Sequence, residues 1–75
     1  MTYYVISIQK TDSGNAQSIF AYDSRDEALS AYHSTLASNY VSSVLNGFCV
    51  ILMNEHGGTE LKEYWDKPII NEIVQ

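Results

Sequence analysis

The chain has 75 residues, 45% of them hydrophobic, with a single cysteine at Cys49. That is enough for one globular domain with a thin core, and it excludes both disorder and an internal disulfide framework. Nine acids against four bases leave a net charge of −5. Direct binding to nucleic acid or to an anionic membrane is therefore disfavoured for want of Lys and Arg.

Residues 3–9 are β-branched and aromatic, with Tyr4, Ile6 and Ile8 alternating against Tyr3, Val5, Ser7 and Gln9. The spacing predicts a strand whose uniformly apolar set, Tyr4, Ile6 and Ile8, faces the core. Thr11-Asp12-Ser13-Gly14-Asn15 is dense in turn formers, and a second strand over 16–22 completes a hairpin.

A helix is expected over 24–42. Ser24 with Glu27 three residues later has capping-box spacing, and Asp23 and Asp26 suit the positive end of the helix dipole. Leu29, Tyr32, Leu36 and Tyr40 fall on one face at 100° per residue, with His33, Ala37 and Val44 beside them. Ser30, Ser34, Ser38 and Ser42 recur on what reads as the wet side. Asn46-Gly47 then ends the segment.

Phe48–Met53 is apolar on both faces, the mark of a central strand within 48–54. Asn54-Glu55-His56-Gly57-Gly58 is a turn. The strand over 59–65 carries Lys62 and Glu63, as a charge-protected edge does. The tail, 66–75, has Pro68 near its start and Ile69, Ile70, Ile73 and Val74 beyond it. It reads as a short C-terminal helix or a docked extended segment.

The expected fold is thus a single α+β domain over 1–75 of order ββαββ. Its four-stranded antiparallel sheet has strand order 2-1-3-4. One helix covers one face, so Tyr3, Val5, Phe20, Tyr22, Trp65 and one of Cys49 and Val50 are expected on the other. The apolar tail (Ile69, Ile70, Ile73) or a second copy would cover them.

Chemistry leaves little trace. His33 and His56 stand without HxxxH, HExxH or Cys/His spacing, and Cys49 lies in an apolar strand. Neither GxxxxGK[ST] nor GxGxxG occurs, and no serine sits in a GxSxG elbow. No enzyme activity, metal or cofactor is expected. Six tyrosines and one tryptophan suit core packing or a protein interface. Base stacking is disfavoured because it needs basic neighbours. No signal-peptide pattern follows Met1, and Phe48–Met53 is too short to span a bilayer, so a cytoplasmic setting is expected.

The run from Ile19 to Ser34, the opening Tyr3-Tyr4-Val5-Ile6-Ser7-Ile8-Gln9 and the late Glu63-Tyr64-Trp65 resemble small uncharacterised proteins carried by phages and mobile elements of Gram-positive bacteria. The resemblance implies a phage accessory or counter-defence role and transfers no functional residue. The leading expectation is a homodimeric, non-enzymatic protein-binding module. One version presents Asp23, Asp26, Glu27, Glu55, Glu60, Glu63 and Asp66 to a basic host protein. The alternative is a nucleotide-like small-ligand binder with a Tyr- and Trp-lined pocket at a dimer seam.

Overall fold

The computed structural model describes Met1–Pro68, and the tail positions Ile69, Ile70 and Ile73 lie outside the described residues. The element order is β1 (Tyr3–Thr11), β2 (Gly14–Tyr22), α1 (Arg25–Val41), β3 (Gly47–Asn54) and β4 (Thr59–Asp66). The strands form one antiparallel sheet of order β2-β1-β3-β4. This is the expected ββαββ topology.

Local chemistry accounts for the boundaries. β1 and β2 extend into the predicted turn until only Asp12 and Ser13 remain between them. Gly14 takes a φ of 126°, which a side chain would resist. The Thr11 hydroxyl accepts from the Ser13 N–H and donates to the Gly14 carbonyl, closing the turn. Ser24 is the helix cap, and its Oγ accepts from the Glu27 N–H at 3.1 Å. Such a cap is worth about 1 kcal/mol. At the other hairpin, the Asn54 side chain accepts from the His56 and Gly58 amides while Gly57 takes a φ of 86°. Asp66, read from sequence as the start of the tail, is instead the last residue of β4.

The helix lies across β1 and β3, and only its flank reaches β2. Ala28, Tyr32 and Leu36 point inward and meet Val5, Phe48, Val50 and Leu52, with Leu45 closing one end. Phe48 stacks on Trp65 and meets Tyr40 edge-on, with ring centroids 5.9 and 4.9 Å away. Compared with the expected stripe, the buried line is turned toward Ala28 and Asn39. His33 and Val44 are exposed, and Tyr40 is half-exposed with its ring edge on Phe48.

The predicted facing of β1 is reversed. Val5 and Ser7 are buried beneath the helix, whereas Tyr4, Ile6 and Ile8 lie on the opposite face and are only partly shielded. The reason is topological. β2 and β3 both run antiparallel to β1 and hence parallel to each other, so α1 is a crossover between parallel strands. Such crossovers strongly prefer one hand. The side on which α1 crosses thus decides the covered face, and the presence of Ser7 and Gln9 in the covered set does not prevent it.

Candidate binding surfaces

The reversal defines the first surface. Pairing registers set Ile19, Ile6, Ile51 and Lys62 in one row across the sheet, with Gln17, Ile8, Cys49 and Tyr64 in the next. Ala21, Tyr4 and Met53 form a third row. Nothing among the described residues covers this open face. Ile19 is 63% and Tyr64 67% exposed, and the residues between them are shaded chiefly by each other. Its charges are few: Lys62, and Lys10 with Nζ 3.6 Å from Asp66 Oδ1. The face is apolar at its centre with a slight basic excess at its rim, although the chain is acidic.

The second surface is a groove where the helix stops short of β2. It holds about 300 Å³ and is lined by Val5 and Phe20 together with Ser7, Gln9, Ser18, Ser34, Thr35, Ser38 and Asn39. Every polar group there is a hydroxyl or an amide, so its surface is neutral. Gln9 Nε2 donates to Asn39 Oδ1 at 2.8 Å across the helix–sheet junction. Asn39 is 4% exposed, and its Nδ2 has no partner among the described residues. Ser34 and Ser38 are exposed, as their period predicts, and also form walls of the groove. That role depends on how far the helix sits from β2, which helical spacing does not encode.

Most residues expected at an interface belong elsewhere. Val5 is in the core, and Tyr3, Tyr22 and Trp65 pack against it. Phe20 is 57% exposed but lies in the groove on the helix side. The apolar set on the open face is instead Tyr4, Ile6, Ile8 and Ile51, each partly buried, flanked by the exposed Ile19 and Tyr64. Sequence reading placed Tyr4, Ile6 and Ile8 inward and assigned no face to Ile19, Ile51 or Tyr64. The signal in β1 was its alternation, and the two faces were too similar to separate by hydropathy.

The acidic candidates divide into two groups. Asp23, Asp26 and Glu27 are exposed around the helix start, where they favour the dipole. Glu60 is the extra residue where the β3–β4 register shifts, and it accepts from Arg25 Nε at 2.8 Å. This hydrogen bond holds the Arg25 guanidinium above its usual range. Glu63 accepts from the Tyr40 hydroxyl, and this hydrogen bond raises the Tyr40 phenol above the usual tyrosine value. Burial does the same for Tyr32. Of the seven acids named from sequence, Glu60 and Glu63 therefore tie the helix to β4, while Glu55 accepts from the Thr2 N–H and Asp66 lies beside Lys10.

Among the described residues there is no group of three or more His, Cys, Asp or Glu arranged to hold a metal. No described helix is long and apolar enough to cross a membrane. Comparisons with protein-family models, curated proteins and solved structures give no match.

Proposed function

We propose that this chain is a non-enzymatic protein-binding module that engages its partner through the open sheet face. The observation that carries the reading is the three-strand apolar surface centred on Ile6 and Ile51 on the side away from α1. Contiguous apolar area of this kind on a small chain marks an interaction site. Lys10 and Lys62 at its margin favour a partner with an apolar centre and acidic edges. This differs from masking a basic groove with acids, since Glu60 and Glu63 are already hydrogen-bonded within the chain. A phage accessory role, as the sequence resemblance suggests, is compatible with either partner.

The test is affinity capture from bacterial lysate with matched variants that keep the wild-type circular dichroism. Ile51→Lys and Tyr64→Lys should lose the captured partner, while neutralising Asp23, Asp26 and Glu27 together should retain it. The opposite pattern would replace the open face by the acidic helix start. Capture unaffected by either set would overturn both.

The neutral groove supports a second reading, in which a small uncharged ligand binds between α1 and β2. A thermal-shift screen of nucleosides and monosaccharides that leaves the melting temperature unmoved would remove it.

A further inference from the structure

The two edges of the sheet are not alike. β4 carries Glu60, Lys62, Glu63 and Asp66, and its pairing with β3 is broken by a register shift at Leu52/Met53. Charge and irregularity of this kind block the addition of another strand. β2 has neither protection. From Gly14 to Tyr22 it contains no charged residue and no proline, and it pairs with β1 through nine successive positions without a shift. At about 3.4 Å per residue it presents roughly 30 Å of regular strand edge, whose outward N–H and C=O groups have no neighbouring strand among the described residues.

Both faces of this edge are also under-covered. Ile19 is exposed on the open side, and Phe20 on the helix side, because α1 sits over β1 and β3. A strand laid beside β2 would shield both residues at once.

We propose that this strand is the β2 of a second copy, paired antiparallel about a two-fold axis at Ile19, so that two sheets join into one of eight strands. Three features favour a second copy over a foreign segment. Two chains of charge −5 repel, so they approach best along a surface without acids, and of the two edge strands β2 has none whereas β4 carries Glu60, Glu63 and Asp66. Antiparallel pairing of identical strands is self-complementary under two-fold symmetry. The register at Ile19 also matches large side chains to small ones. Phe20 falls opposite the second copy's Ser18 and Tyr22 opposite its Ala16. Asp23, just beyond the strand, meets a neutral Asn15. Across the axis the row Ile51–Ile6–Ile19 continues into its symmetry mate, so two open faces become one surface. The inference stands on the edge and does not depend on what the open face binds.

Analytical ultracentrifugation of the full chain at tens of micromolar tests it. Wild type should sediment at twice the 8.4 kDa chain mass. Ile19→Lys places two like charges opposite each other at the axis and should weaken the dimer at least tenfold. It should do so with an unchanged circular dichroism spectrum, since Ile19 is mostly exposed in one chain. Tyr64→Lys, on the same face at the opposite edge, should leave the dimer intact. Ile19→Cys in a Cys49→Ser background should form a reducible interchain disulfide, and Cys49→Ser alone should not. A wild-type chain that stays monomeric would overturn the proposal. So would a dimer that resists Ile19→Lys but yields to Tyr64→Lys, because that pattern belongs to face-to-face stacking. Failure of Ile19→Cys to cross-link would overturn the register.

Discussion

The facing of the strands can be tested with two neighbouring residues of β3. Leu52 is fully buried beneath α1 between Val5 and Leu61, whereas Ile51 points to the open face between Ile6 and Lys62. Both sit mid-strand, and truncation to alanine removes a similar number of apolar atoms from each. Leu52→Ala leaves a cavity that the surrounding core cannot fill and should cost about 3 kcal/mol. Ile51→Ala removes atoms that already meet solvent on one side and should cost about 1 kcal/mol. In a domain of this length each kcal/mol moves the melting temperature by about 4–8 °C. The expected drops are therefore roughly 12–24 °C for Leu52→Ala and 4–8 °C for Ile51→Ala. Urea unfolding followed by Trp65 fluorescence gives the same comparison as a change in midpoint at constant slope. Repeating it at two protein concentrations separates core loss from lost self-association. A larger cost for Ile51→Ala than for Leu52→Ala would refute the facing described above.

Two further predictions follow from the junctions between helix and sheet. Gln9→Ala removes the only hydrogen-bond partner that the buried Asn39 side-chain amide has among the described residues and should cost about 1–3 kcal/mol in urea unfolding. Gln9→Leu with Asn39→Leu should cost less than the two single changes summed, because no buried amide is then left unpaired. Tyr40 and Tyr32 have phenols raised above the ordinary tyrosine pKa of about 10. Their neutral forms are thus favoured in the folded state. The associated stability is present below that value and is lost as pH rises through the folded values. Alkaline titration by tyrosine absorbance should show two late-titrating groups, and Tyr40→Phe should leave one.

Much of the fold was legible locally. The Ser24 cap, the Gly14 and Gly57 turns and the two-faced apolar run of β3 are short-range patterns. Each has a physical cause within a few residues, so element order and strand order could be read from them. The surfaces were harder. Tyr3, Val5, Tyr22 and Trp65 were expected outside and lie in or against the core. Ile6 and Ile51 are correspondingly on the open face. A period of two sorts side chains into two sets but does not say which set is inside when both are apolar. Ser34 and Ser38 likewise have a helical period, while their place in a groove depends on a neighbour far away in sequence.

By itself, then, the sequence determined which segments become strands and helix, with ends good to a residue or two, and how the strands are ordered, because caps, turn residues and apolar runs act over a few residues. The tertiary structure alone decided which sheet face α1 covers and that β2 is left overhanging. Those outcomes depend on the hand of the crossover from β2 to β3 and on the width of one helix against four strands. The open face, the groove and the unprotected β2 edge all follow from them.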